Sequence, residues 1–284
     1  MISASKLSPI ALSALLLIGC SDPTTDTTPD NTAVTPAEGS GTLAVYANGE
    51  EYAWEGMTSK DGWTLSFDNL YVHLRDVTAY QTNPPYEANG SDIEASKSLL
   101  LVDSKTVDLT EGSGPVLLGE AEADAGHYNA LSWALSPAPE GPAEGHVMVL
   151  TGTAEQDGER LDFAIALDQP LVFSCGEFIG DERKGFLEDA GTADLEATIH
   201  LDHLFGTGDA PADSDLNEGA LGFEPIAALA ENGTVEITSD GLMAQLSPED
   251  QEKLVGILPN LGHVGEGHCF ESTFESTMDD ATQP

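Results

Sequence analysis

Three polar residues within a four-residue span combine side chains that commonly hold transition metals in proteins. His200, Asp202 and His203 occur in TIHLDHLFGTGDAPADSDLN, residues 198–217. If His200 and Asp202 lie on a strand, both side chains leave the same face, and His203 follows where the strand is expected to end. Two imidazoles and one carboxylate suit a divalent transition metal ion. The alternative is a pair of hydrogen-bonded strand-end histidines that bind nothing.

A second histidine pair, His263 and His268, lies in LGHVGEGHCF, where His268 precedes Cys269. In an oxidising compartment Cys269 and Cys175 are expected to form one disulfide, which would bring the two histidine groups together. With both thiols oxidised the ligands are nitrogen and oxygen, which favours Zn, Cu(II), Mn, Ni or Fe over Cu(I). The sequence predicts a divalent metal site in which Zn or Cu(II) is the most favoured ion. Its predicted ligands are His200, Asp202, His203, His263 and His268.

Oxygen ligands at calcium-loop spacing form a second candidate site. The segment DSDLNEGALGFE places Asp213, Asp215, Asn217 and Glu224 at positions 1, 3, 5 and 12 of an EF-hand-like loop. The glycine expected at the sixth position is replaced by Glu218, and no helix is expected to enter the loop. A calcium site made of these oxygens and a hydrated acidic loop are therefore alternative interpretations.

Catalytic motifs are missing from the sequence. It contains no nucleophile elbow, phosphate-binding loop, dinucleotide fingerprint or zinc-protease helix motif. His73, His127 and His146 stand alone in the sequence, and we expect them to be structural. The sequence favours a binding or structural protein over an enzyme.

The first twenty residues predict export and lipidation. MISASKLSPIALSALLLIGC has one basic residue, Lys6, and an apolar run over residues 9–18 that is too short to span a membrane. Its end resembles the lipobox of bacterial lipoproteins, which implies that Cys20 is acylated and anchors the chain to a membrane. Ser21 follows the cysteine, which favours the outer membrane over the inner membrane as the location in the cell envelope. The alternative is an ordinary secretory signal.

Composition restricts the partners of the exported chain. Residues 21–40 are rich in Pro, Thr and Asp and predict a disordered tether. The whole chain has 50 acidic and 9 basic residues, a formal net charge of −41, which argues against nucleic acid and anionic lipid as partners. The 40% hydrophobic content nevertheless indicates a folded domain, and its self-repulsion should be relieved by salt.

The elements expected to position the candidate ligands are mostly strands. Apolar residues alternate over 41–203, which predicts a mainly β chain folded as an antiparallel β-sandwich. Asn48-Gly49 and Asp157-Gly158 predict hairpin turns. A switch in the parity of the apolar residues at Asp68-Asn69 predicts a β-bulge, in a register that directs His73 outward.

A small helical part is expected near the C-terminus. The sandwich domain is placed at 41–270, with short helices within 222–258 and a frayed tail over 271–284. Pro225 marks the start of one helix, and Ser247 is the expected N-cap of another.

Two segments of the β region carry a family resemblance. LYVHLRDV, followed about fifty residues later by AGHYNALSWAL, resembles the MbnP-like and related bacterial β-sandwich envelope lipoproteins, within residues 63–136. The resemblance implies a β-sandwich in the cell envelope. Some members of that group are tied to copper, but the tryptophan-rich segment expected later in the chain is missing here. The copper is therefore not carried over.

Overall fold

The computed structural model describes residues 39–273. The signal segment and lipidation site predicted at residues 1–20, with Cys20, lie outside the described residues, as does the tether up to residue 38. The predicted tail lies outside them from residue 274 onward. Residues 39–273 belong to one compact unit.

Strands dominate the structure: they make up 48% of it and helices 17%, so the prediction of a mainly β chain is confirmed. The strands are β1 (Ser40–Asn48), β2 (Met57–Thr58), β3 (Thr64–Thr82), β4 (Ala95–Asp108), β5 (Val116–Asp124), β6 (Gly126–His127), β7 (Ala130–Leu135), β8 (Met148–Gln156), β9 (Glu159–Leu167), β10 (Leu171–Cys175), β11 (Phe186–Leu187), β12 (Thr192–Ile199), β13 (Thr234–Thr238), β14 (Gly262–Val264) and β15 (Gly267–Thr273). The helices are α1 (Glu50–Glu55), α2 (Asp202–Phe205), α3 (Asp215–Gly219), α4 (Glu224–Ala227), α5 (Ser239–Gln245) and α6 (Pro248–Ile257), with a 3-10 turn at Leu258–Asn260.

Within the described residues, 13 strands form one continuous sheet. Its order is β13-β9-β8-β3-β7-β10-β15-β14-β12-β1-β5, while β2 and β4 pair with β3 outside this path, and β6 and β11 form a separate small sheet. Two pairs, β1 with β12 and β9 with β13, are parallel. The sheet is therefore mixed, and the predicted antiparallel sandwich is not confirmed. Both parallel pairs join strands far apart in the sequence, which local alternation cannot reveal.

The long strand β3 confirms one sequence prediction and corrects another. Its pairing with β8 shifts register between Phe67 and Asn69, so the predicted bulge is present. His73, however, is buried rather than directed outward. Val72, His73 and Leu74 are buried in succession, which means that both faces of β3 are covered here. Alternation shows which residues share a face, but it cannot show that the second face is covered as well.

The two predicted hairpin turns have different outcomes. Asp157 and Gly158 connect β8 to β9 with φ of 51° and 86°, the backbone that a two-residue hairpin requires. The hairpin at Asn48-Gly49 is wrong, because helix α1 follows directly. Strand β1 is paired with β12 on one side and β5 on the other, so no edge is left for a hairpin partner.

The helices within 222–258 form as expected near their predicted starts. Ser247 caps α6, where its Oγ accepts the backbone N–H of Asp250, and Pro225 lies in the first turn of α4. Helices α1, α2 and α3 lie outside the expected helical region. Strand β15 extends to Thr273, three residues beyond the predicted domain limit. Among the helices of residues 39–273, none has the length and apolarity to cross a membrane.

Candidate metal centre

Three neighbouring strands bring the two histidine pairs together. Strand β14 lies between β12 and β15 and pairs with both. In this register His263 is opposite Thr198 on one side and opposite His268 on the other. The predicted disulfide is present: Cys175 and Cys269 are cross-strand partners with Cα atoms 4.3 Å apart. The disulfide ties β15 to β10. The histidines come together because β14, which carries His263, lies between β12 and β15.

The backbone around His200 differs from the strand that the spacing predicts. Strand β12 ends at Ile199, and Asp202–Phe205 form the helical turn α2. The prediction that His200 and Asp202 share a strand face is therefore wrong. Leu204 and Phe205 of this turn are both buried in the hydrophobic core. His200 and Asp202 still converge, through the turn.

The four imidazoles of the predicted site surround one region. The ring centroids of His200 and His263 are 4.2 Å apart, and those of His263 and His268 are 4.5 Å apart. His203 lies 5.0 Å from His263 and 6.3 Å from His268. His200, His203 and His263 each offer a ring nitrogen, and these three atoms lie within 4.8 Å of one another. All five predicted ligands therefore line the same cavity, although Asp202 belongs to a second group of donors.

His263 is the most deeply placed member of the cluster. It is 3% exposed, and neither ring nitrogen has a hydrogen-bond partner among the described residues. Burial, followed by the charges of His200, His203 and His268, lowers the pKa of His263 to about 3. The ring is therefore neutral at ordinary pH, and one nitrogen offers an uncommitted lone pair.

His200 has one committed and one open ring nitrogen. Its Nε2 lies 3.1 Å from the carbonyl oxygen of Gly265. Its Nδ1 lies 3.4 Å from Glu50 Oε2 and 3.7 Å from Asp202 Oδ1. Burial alone lowers the pKa of His200, but the Asp202 and Glu50 carboxylates outweigh burial and raise it.

Asp202 and His203 complete the set of predicted ligands. Burial raises the pKa of Asp202, but His200 and His203 beside it outweigh burial and lower that pKa, so the group is a carboxylate. Its Oδ1 is buried and has no hydrogen-bond partner among the described residues. Burial lowers the pKa of His203 despite the attraction of Asp202, so this ring is also a neutral donor.

Glu50 belongs to the centre and is not among the residues that the sequence singles out. It begins α1, about 150 residues before the histidines, and its carboxylate oxygen lies within 4.8 Å of donor atoms of His200 and Asp202. Burial raises the pKa of Glu50, partly opposed by His200. No local signal could have found it, because the preceding Asn48-Gly49 favours a hairpin and the contact depends on the parallel pairing of β1 with β12.

The candidate ligands line an open cavity of about 750 Å³. Its further polar lining is mainly acidic: Asp215, Glu249, Glu252 and Glu266. Lys253 is the basic residue of the lining, and its Nζ lies 3.2 Å from Glu249 Oε1. An acidic entrance to a cavity raises the local concentration of cations.

The predicted calcium ligands do not come together in the same way. Asn217 is buried, with its Oδ1 accepting the backbone N–H of Thr207 at 2.8 Å. Glu224 Oε2 accepts the indole N–H of Trp63 at 2.8 Å. Asp215 begins helix α3 and lines the histidine cavity. With Asp213 these residues form no donor group comparable to the histidine cluster within residues 39–273, and calcium stays a prediction.

The three isolated histidines lie outside the cluster. The ring nitrogens of His73 are 2.8 Å from Thr106 Oγ1 and 3.1 Å from Ser104 Oγ. His127 is stacked on the ring of Phe186, at 3.7 Å between centroids. His146 is paired with the carboxylate of Asp168. Each therefore has a contact that accounts for its position.

Comparisons with known proteins add no relative to this description. No protein-family model matches the chain, and neither the curated proteins nor the solved structures searched give a match. The resemblance to the MbnP-like lipoproteins stays a prediction. The chemistry of the site is therefore judged from its own donor atoms: four imidazoles and the carboxylate of Asp202 line the cavity, and the carboxylate of Glu50 lies beside His200 and Asp202.

Proposed function

We propose that the protein binds a divalent transition metal ion without catalysing a reaction. Zn and Cu(II) are the favoured ions. The observation that carries the proposal is the group of ring nitrogens of His200, His203 and His263 within 4.8 Å of one another. His268 and Asp202 stand beside this group and complete the predicted ligand set.

The energetics of the empty donors support this proposal. A buried polar atom without a partner costs free energy, and native proteins keep few of them. Here both nitrogens of His263 and one oxygen of Asp202 are such atoms. A metal ion would use the lone pair of one His263 nitrogen and that of the Asp202 oxygen. Because Cys175 and Cys269 are bonded to each other, they offer no thiolate, and imidazole and carboxylate donors select a divalent ion.

The setting we propose is the bacterial cell envelope, with Cys20 lipidated and the outer membrane favoured over the inner membrane. The lipobox resemblance of residues 1–20 supports this location. The net charge of −41 argues against nucleic acid as a partner and suits a protein that attracts cations. Scavenging, buffering or delivery of metal would each use such a site. The alternative is an acidic surface or structural module, stabilised by calcium or by no ion.

A metal titration followed by thermal unfolding tests the proposal. Protein stripped of metal is titrated with Zn(II) or Cu(II), and elemental analysis is made of protein purified without chelator. A ligand that binds only the folded state stabilises it by ~2.7 kcal/mol at a hundredfold excess over Kd. The midpoint should therefore rise, and His200→Ala should abolish the rise. His146→Ala is the matched control, because His146 lies outside the cavity, and it should keep the full response.

Two results would contradict the proposal. One is the absence of bound transition metal together with an unchanged midpoint in the wild type. The other is a midpoint rise that is equal in the wild type and His200→Ala, which would place binding elsewhere on the acidic surface. A rise with Ca(II) alone would favour the structural alternative.

A further inference from the structure

We infer that Glu50 is a ligand of the bound ion, which lies between Glu50, Asp202 and Nδ1 of His200. This inference rests on the proposed function and makes the donor set a mixed one, with two carboxylates facing the imidazoles. The ligand class is then a divalent cation that accepts both oxygen and nitrogen donors.

The hydrogen bond of His200 fixes the tautomer of its neutral ring. A carbonyl oxygen can only accept a hydrogen bond, so Nε2, which faces Gly265 O at 3.1 Å, carries the proton. In the neutral ring Nδ1 therefore presents a lone pair. That lone pair faces Glu50 Oε2 and Asp202 Oδ1, both of which are acceptors too. Three acceptors directed at one another need either a proton on Nδ1 or a cation between them, and the separations of these atoms favour the cation.

The distances from His200 Nδ1 to the two carboxylate oxygens support an ion between them. An N–H···O hydrogen bond spans about 2.7 to 3.2 Å, shorter than the 3.4 and 3.7 Å observed from Nδ1 to the two oxygens. Donors held at about 2.0 to 2.2 Å from a tetrahedral metal lie about 3.3 to 3.6 Å from one another. The 3.4 Å separation lies within this range and the 3.7 Å separation just above it, so both are closer to the spacing of ligands around an ion than to a direct hydrogen bond.

The backbone of Glu50 has an unusual conformation. Its φ is 57°, in the left-handed region that a residue with a Cβ rarely occupies and that glycine adopts freely. Asn48 holds this turn: its Oδ1 accepts the backbone N–H of Glu50 at 2.8 Å, and its Nδ2 donates to Glu196. Strained residues of this kind cluster at functional sites. Here the strain places a carboxylate against His200.

Charge supports the same assignment. A carboxylate oxygen of Glu50 lies within 4.8 Å of one of Asp202. Two carboxylates beside a divalent ion leave no net charge. A monovalent ion would leave one negative charge in a half-buried position, which is less favourable.

The test compares Glu50→Gln with Glu51→Gln, since Glu51 is the next residue of α1 and is exposed. Calorimetric titration of the metal-free full chain with Zn(II) and with Mn(II) gives the affinities, and thermal unfolding without metal gives the stability. Glu50→Gln should weaken Zn(II) binding at least tenfold, and Mn(II) binding more, because Mn(II) depends more on oxygen ligands. Its metal-free midpoint should equal or exceed that of the wild type. Glu51→Gln should match the wild type throughout.

A second variant, Glu50→Gly, removes the carboxylate and suits the left-handed backbone. It should unfold at a higher temperature without metal than the wild type and yet bind metal more weakly. If the wild type binds Zn(II) and both Glu50 variants bind it equally well, the inference is overturned and the proposed function stands. If the wild type binds no metal, the proposed function itself fails.

Discussion

Two buried histidines of this protein have opposite surroundings. His73 is 4% exposed and His263 is 3% exposed, and burial lowers the pKa of both. Each ring nitrogen of His73 has a hydroxyl partner, Thr106 or Ser104. Neither nitrogen of His263 has a partner in the described part of the chain.

The difference lies in what the neighbouring strands provide. Strand β4, paired with β3, faces His73 with hydroxyl groups that can donate or accept. His263 faces His268 across the β14–β15 pair, and the rings of His200 and His203 lie next to it. Burial alone therefore does not mark a candidate site. What distinguishes His263 is burial without partners at a place where other imidazoles converge, because an ion there would use its free lone pair.

The largest effect is expected from removing the disulfide that fixes the strand beside His263. Replacing Cys175 and Cys269 by serine together should lower the free energy of unfolding by ~4–5 kcal/mol on the chain-entropy model, since 94 residues separate them. Because β15 carries His268, the metal-induced stabilisation should fall as well. Urea denaturation with and without Zn(II) measures both. A loss below about 1 kcal/mol would mean that β15 stays docked without the bond.

The comparison itself predicts opposite signs for two matched substitutions. His73→Leu leaves the Thr106 and Ser104 hydroxyls without their ring partner and should cost ~1–3 kcal/mol. His263→Leu removes two unpartnered nitrogens and should leave metal-free stability equal or up to ~2 kcal/mol higher. Chemical denaturation of the metal-free proteins measures both values.

Metal gives the two substitutions a second, independent contrast. His73→Leu should retain the wild-type rise in midpoint with Zn(II), and His263→Leu should lose most of it. Equal destabilisation by both substitutions, with the metal response unchanged in both, would show that His263 is an ordinary core histidine.

A smaller effect is expected from acid. The pKa of His263 is about 3 in the folded protein against 6.5 for an unperturbed histidine, so below pH ~6.5 the unfolded state binds the proton and the folded state does not. Metal-free stability should fall as pH drops through this window, by up to ~1.4 kcal/mol per pH unit. The raised pKa of His200 has the opposite sign, but it changes stability only above pH ~6.5, where stability rises as the pH falls. Denaturation at about pH 7.5 and pH 5 should show a smaller loss in His263→Leu than in the wild type.

Added salt is expected to produce the smallest difference between the two histidine variants. With 50 acidic and 9 basic residues, screening of self-repulsion should raise the thermal midpoint by several degrees between ~0.05 and ~1 M NaCl. Because this repulsion belongs to the surface, His73→Leu and His263→Leu should shift in parallel with the wild type. A flat curve would indicate that bound cations already offset the charge.

Local sequence patterns predicted those features that depend on neighbouring residues. The β-rich composition, the Asp157-Gly158 hairpin, the bulge near Asp68-Asn69 and the cap at Ser247 follow from alternation and turn chemistry, and the structure contains them all. The even cysteine count predicted the Cys175–Cys269 bond. The five candidate ligands were also identified from residue type and spacing alone.

Only the tertiary structure decided how those ligands meet and which residue joins them. The strand expected through His200 and Asp202 ends at Ile199 and is followed by a helical turn whose Leu204 and Phe205 pack into the core formed by the whole sheet. The contact of Glu50 with His200 follows from the parallel pairing of β1 with β12, strands more than a hundred residues apart. Sequence spacing determines faces and turns within an element. The partners of a buried side chain come from strands that are distant in the sequence. For this reason the sequence could not predict the hydroxyl groups around His73 or the unpartnered nitrogens of His263.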